Sequence, residues 1–214
     1  MKDIAEGMRI YCVGIKGTGM AALAEYCSHA GALVEGSDVE ELFYTDAILK
    51  ELGIPVHMPF AVANLPDECD LLFYSAAYDP DTHPELVEAR RREIEIHSYP
   101  EALGRISASL PTGAVAGVHG KTTTAAMAGT LAAAAGLPVG VLVGSAVANF
   151  NNRSCLFLGD RALILETCEY RRHFLHIRPR WMIVTSIEPD HLDYYADYDD
   201  IFSAFFEYVS RLPA

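Results

Sequence analysis

The segment Gly117-Val118-His119-Gly120-Lys121-Thr122 brings together the residue types that hold phosphate: glycines, a lysine and a hydroxyl. The full pattern G-x-x-x-x-G-K-[ST] fails, because Val115 stands five positions before Gly120, and the shorter G-x-x-G-K-T is met. The physical parts are nevertheless in place. A strand over 114–116 feeds a glycine turn, and a helix predicted over 122–135 offers its N-terminus to an anion. Backbone amides of Gly117, His119, Gly120 and Thr123 can cradle the phosphates of ATP. Lys121 can reach the β- and γ-phosphates, and the Thr122 hydroxyl can serve Mg²⁺. The bland alternative is a glycine-rich turn with a surface lysine; the three successive threonines and the strand-loop-helix context speak against it.

Two carboxylate segments follow: Leu165-Glu166-Thr167-Cys168-Glu169-Tyr170, and Glu188-Pro189-Asp190-His191-Leu192-Asp193. Both follow predicted strands, and open α/β sheets bind ligands at the C-terminal ends of their strands. Mg²⁺ takes hard oxygen ligands, so Thr122 with Glu166 is a candidate metal site. His191 fits either a second ion or the orientation of a carboxylate; a loop histidine bonded to backbone is the plain alternative. Glu169 is left without an assigned role.

A second glycine loop lies near the start, Gly14-Ile15-Lys16-Gly17-Thr18-Gly19-Met20, between a strand and a helix. Its spacing is G-x-x-G-x-G, whereas the dinucleotide fingerprint is G-x-G-x-x-G. Asp38 stands where a ribose-binding acid lies in a nicotinamide enzyme, so a dehydrogenase is the natural rival. The downstream phosphate loop argues against it, since hydride transfer needs no ATP.

These loops require strands and helices in alternation. Strands are predicted at 8–13, up to 38, 54–57, 70–74 and 94–97, with helices at 20–30, 45–52 and 84–92. The stretch 99–112, with Pro100, Gly104 and Pro111, is read as a junction, giving units 1–108 and 109–214. In the second unit strands are expected at 114–116, 156–158, 162–166 and 181–186, and a last helix at 199–211. The fold class is α/β: a Rossmann-like parallel-sheet domain, then a P-loop-type domain expected to be incomplete.

Half of the 214 residues are hydrophobic, enough for real cores, and the net charge is −13. Such an acidic surface repels nucleic acid and anionic membranes, so neither is an expected partner. The five cysteines show no C-x-x-C spacing, which disfavours disulfides and zinc. No stretch approaches a membrane span and the N-terminus lacks an apolar leader core, so a soluble cytoplasmic protein is expected.

In chain order the segments 14–20, Gly36-Ser37-Asp38, Tyr74-Ser75-Ala76-Ala77, Asp81-Thr82-His83-Pro84-Glu85, 117–124, 166–174 and 187–193 together resemble the Mur ligases of peptidoglycan synthesis. The resemblance covers nearly the whole chain and implies a UDP-sugar domain followed by an ATP domain. It implies that Gly17, Thr18, Gly19, Met20, Ser37, Asp38, Ser75 and Ala76 line the uridine diphosphate site. It further implies that Lys121 contacts ATP, that Thr122 and Glu166 hold one Mg²⁺ and that His191 holds a second; Lys121, Glu166 and His191 are the catalytic set. The nearest match within the family joins L-alanine to UDP-N-acetylmuramate through an acyl phosphate. A ligase recycling a murein tripeptide and a non-catalytic UDP-sugar module are the alternatives. Val118 replaces a more usual Thr or Ala, and Pro59-Phe60 replace Gly-His. Family members are about twice this length, so the remainder of the ligase is an expected partner of this fragment.

Overall fold

The computed structural model describes residues 4–213. The first sheet takes its strands from β1 (Arg9–Val13), β2 (Leu33–Ser37), β3 (Val56–His57), β4 (Leu71–Tyr74) and β5 (Ile96–Ser98). All are parallel, in the order β3-β2-β1-β4-β5, so the order reverses beside β1 and opens a crevice at its C-terminal end. The strands are short apolar runs, and Leu72 and Phe73 of β4 are wholly buried, as sheets covered on both faces require. Helices α1 (Thr18–His29), α2 (Thr45–Glu51) and α3 (Pro84–Arg91) make the crossovers.

The junction expected over 99–112 is mostly helix: α4 spans Tyr99–Ser109. Its start is a capping box, in which Ser98 N–H donates to Glu101 Oε2 at 2.7 Å, and Pro100 sits in the first turn, where its missing N–H costs nothing. Gly104 is there because α4 lies against the 170–176 segment; a Cβ would stand 2.5 Å from the His176 carbonyl oxygen.

The second sheet is mixed. It comprises β6 (Thr112–Ala116), β7 (Val139–Val147), β8 (Arg153–Phe157), β9 (Ala162–Glu166) and β10 (Trp181–Val184), in the order β10-β6-β9-β7-β8. β8 runs antiparallel to β7, joined by a turn in which Asn151 and Asn152 both have positive φ. β7 is a strand that the sequence reading did not identify. α5 (Lys121–Ala134) follows β6, and α6 (Tyr198–Val209) is capped by Asp197, which accepts from Asp200 N–H at 2.9 Å.

The two sheets share a core. Helix α1 is buried from Met20 to Cys27 and packs on β2 on one side and on β7 and β8 on the other. Gly140 of β7 admits the Tyr26 ring, which would meet a Cβ at 2.5 Å. Arg153 of β8 reaches Glu25 of α1 at 2.6 Å and Glu51 of α2 at 2.7 Å. Burial pushes the Glu25 carboxyl above its ordinary pKa despite the Arg153 guanidinium beside it. All five cysteines are free. Among the described residues no helix is long and apolar enough to cross a membrane.

Candidate functional site

Each sheet carries one glycine loop at the C-terminal end of a central strand. In the first, β1 turns at Gly14, whose φ of +77° and closeness to the Ser75 and Tyr78 side chains leave no room for a Cβ. The Asp38 carboxylate accepts from Lys16 N–H at 2.6 Å and from Val39 N–H at 2.8 Å, so it braces the loop from beneath. Lys16 is fully buried; its ammonium donates to the Val39 carbonyl at 2.8 Å and the Glu41 carbonyl at 2.5 Å and pairs with Asp46 at 3.3 Å. Ser37 is buried too and donates to Glu85, whose other oxygen accepts from Ala61 N–H. Of the residues expected to line a uridine diphosphate site, Met20, Ser37 and Asp38 are buried, whereas Gly17, Thr18, Gly19, Ser75 and Ala76 present surface.

In the second loop, Gly117 has φ +132° and a Cβ there would stand 2.1 Å from Thr185 Oγ1; Gly120 has φ +79° and starts α5. Val118 N–H donates to the Ser186 carbonyl at 3.0 Å and His119 N–H to Ser186 Oγ at 3.1 Å, tying the loop to the end of β10. The His119 and Thr123 side chains point to solvent.

The acidic residues after β9 reach this loop in two groups. Thr122 Oγ1 lies 2.9 Å from both oxygens of Glu166, and Gly144 N–H of β7 donates to Glu166 Oε2 at 2.6 Å. Lys121 Nζ lies 2.9 and 3.1 Å from the two oxygens of Glu169 and also donates to the Gly117 and Val118 carbonyls at 2.7 and 3.2 Å. Glu169 is 1% exposed. His191, in the left-handed region at φ +52°, lies with its ring centroid 4.8 Å from that of Tyr170, tilted by 44°, and places Nε2 3.4 Å from Glu169 and 3.9 Å from Asp190. Thr122 faces Glu166, as expected for one candidate cation site, and His191, expected at a second, faces Glu169, which had no expected role. Sequence reasoning missed the Gly144 amide, because β7 went unrecognised, and the partners of Glu169, because nothing in its spacing names them.

Both groups suit a divalent cation. Thr122 and Glu166 supply hard oxygens, and one ligand atom each from Glu169, Asp190 and His191 lies within 4.8 Å of the others. A cavity of about 270 Å³ joins the two loops, with Gly19 and Tyr99 on one wall and Lys121, Gly144, Glu166 and Cys168 on the other. Ligands bound to the two loops can thus meet at one place.

The description "Mur ligase family, catalytic domain" matches residues 9–110, and "Mur ligase middle domain" matches residues 115–214. The UDP-N-acetylmuramate--L-alanine ligase of Treponema pallidum (strain Nichols) is 54% identical over 213 residues, 99% of this chain and 44% of that protein. The solved UDP-N-acetylmuramate-alanine ligase of Thermotoga maritima superposes with a TM-score of 0.82 at 30% identity, covering 96% of this chain and 47% of that one. The UDP-N-acetylmuramate:L-alanyl-gamma-D-glutamyl-meso-diaminopimelate ligase from Neisseria meningitides gives 0.83 at 28% identity, covering 97% and 69%. The chain spans a little under half the length of the curated relatives it matches. Two models of one family, end to end along the chain and agreeing with the paired glycine loops, establish that this chain belongs to the Mur ligase family.

Proposed function

We propose that this chain supplies the UDP-sugar and ATP sites of a cytoplasmic ligase that joins L-alanine to UDP-N-acetylmuramate, in units 1–108 and 109–214. The observation that carries the reading is a glycine loop that presents Lys121 and the Thr122–Glu166 pair to the first loop across one cavity.

In this reading Gly17, Thr18 and Gly19 receive the diphosphate at the start of α1, and Ser75 and Ala76 close the far side of the crevice. Met20, Ser37 and Asp38 act from below, fixing the loop. The amides of Gly117, His119, Gly120 and Thr123 hold the ATP phosphates, and Lys121 stabilises charge on the phosphoryl group as the substrate carboxylate attacks it. Mg²⁺, held by Thr122 and Glu166 and by His191, would add charge neutralisation on the phosphate oxygens. The product of that step is an acyl phosphate, whose carbonyl the amine of L-alanine attacks with loss of inorganic phosphate. No residue of the chain becomes covalently bound.

The test is amino-acid-dependent phosphate release by a chain completed to the length of its relatives, with L-alanine, glycine, L-serine and the murein tripeptide compared. L-Alanine is expected to drive release most strongly. Release driven by the tripeptide would transfer the assignment to the recycling ligase; the Neisseria structure superposes about as well as the Thermotoga alanine ligase.

A further inference from the structure

Lys121 is fully engaged in this structure. Its ammonium has three N–H groups, and these serve the Gly117 carbonyl, the Val118 carbonyl and the Glu169 carboxylate. None is left for a phosphate. Glu169 is as firmly placed: it is 1% exposed, its backbone carbonyl accepts from Tyr195 Oη and from Arg172 N–H, and its carboxylate faces Lys121 and His191. A buried carboxylate cannot lose its cation without a large penalty, so Lys121 leaves it only if another positive charge arrives. The replacement has an obvious seat, since Glu169, Asp190 and His191 converge within 4.8 Å.

We infer that Glu169 is a latch on the phosphate loop: it holds Lys121 in a phosphate-incompetent position and exchanges it for a cation seated with Asp190 and His191 when nucleotide binds. The inference rests on the ATP reading of the loop and adds a positioning residue to it. Glu169 does not touch the phosphates; it sets which state Lys121 occupies, and so links cation binding to nucleotide binding. Linkage of this kind is reciprocal: the cation raises nucleotide affinity by the factor by which nucleotide raises cation affinity.

Calorimetry on the 214-residue protein tests this, with ATP titrated in EDTA and again in Mg²⁺, on the parent, Glu169→Gln and, as a control for loss of one nearby negative charge, exposed Glu188→Gln. Thermal melts confirm that each variant is folded. Glu169→Gln keeps the side-chain shape and removes the charge, so it is expected to bind metal-free ATP roughly tenfold more tightly than the parent, the size of one charge-assisted bond no longer competed for. It is also expected to lose most of the Mg²⁺-dependent gain. Glu188→Gln is expected to match the parent. Metal-free affinity in Glu169→Gln equal to or weaker than the parent, or an equal rise in both variants, overturns the latch while leaving the ATP reading intact. A parent that binds no ATP with Mg²⁺ overturns that reading and the latch with it.

Discussion

The two glycine loops share one plan, strand to glycine turn to helix, and each carries a lysine, yet the lysines differ in kind. Lys16 is fully buried and tied to Val39, Glu41 and Asp46; it is a strut for the polypeptide that follows β2. Lys121 is 14% exposed, at the wall of the cavity, and its partners are loop carbonyls and one carboxylate. The type of residue is identical, and what lies beneath it decides whether it builds the loop or serves a ligand. A lysine beside a glycine turn is therefore not by itself a phosphate contact.

Removing each lysine in turn separates the two roles. Lys16→Met strips a buried charge pair and orphans two carbonyls, and an unfolding experiment is expected to show a loss of about 3–5 kcal/mol. Lys121→Ala leaves the buried Glu169 carboxylate without its cation, and is expected to cost about 2–3 kcal/mol, less than Lys16→Met because Lys121 itself is 14% exposed. Its main effect is on function, the abolition of ATP binding. Equal stability losses would erase the distinction.

The glycines sharpen it further. Gly117→Ala meets both a φ of +132° and a Cβ 2.1 Å from Thr185 Oγ1, so denaturant melts should show a loss of about 2–3 kcal/mol along with nucleotide binding. Gly17 has φ −58°, and the nearest atom to a Cβ is the Gly14 carbonyl oxygen at 3.5 Å. Gly17→Ala should therefore stay within about 0.5 kcal/mol of the parent, and any fall in UDP-sugar affinity then reports ligand contact and not strain.

The smallest expected effect concerns acid. His83 lies in an aromatic cluster with Phe60 and Tyr78, beside the first loop, and neither ring nitrogen has a partner. Burial lowers its pKa below the ordinary 6.5. As pH falls, the unfolded chain takes up this proton first, so the stability it contributes is present above 6.5 and is lost below it. Melting temperatures of the parent should fall between pH 7 and 5 by more than those of His83→Phe; parallel curves would contradict this.

Much of this was legible in the sequence. The glycine loop of the second sheet, Glu166 at the end of β9 and the parallel character of the first sheet all follow from glycine spacing and from apolar runs of strand length. Two elements were obscured by the same residues that make them work. Pro100 and Gly104 gave α4 the look of a linker, although Ser98 and Glu101 already spelled its capping box. Gly140 and Gly144 interrupt the apolar pattern of β7, because Tyr26 and the Glu166 carboxylate occupy the spaces they leave. The division of acidic residues between Thr122 and Lys121 could not be read, since it depends on where the chain after β9 lays Glu169 beside the phosphate loop. Asp38 shows the converse: its position after β2 suggested a ribose contact, and its carboxylate accepts from the Lys16 amide of the loop and from the neighbouring Val39 amide.

On the proposed function the two loops are two nucleotide sites with different guests. Calorimetry of this chain with UDP-N-acetylmuramate, with ATP-Mg²⁺, and with each in the presence of the other tests it most directly. One equivalent of each ligand bound together is expected, with Lys121→Ala losing ATP alone. Competition between the two ligands for one site, or no binding of the UDP-sugar, would contradict it.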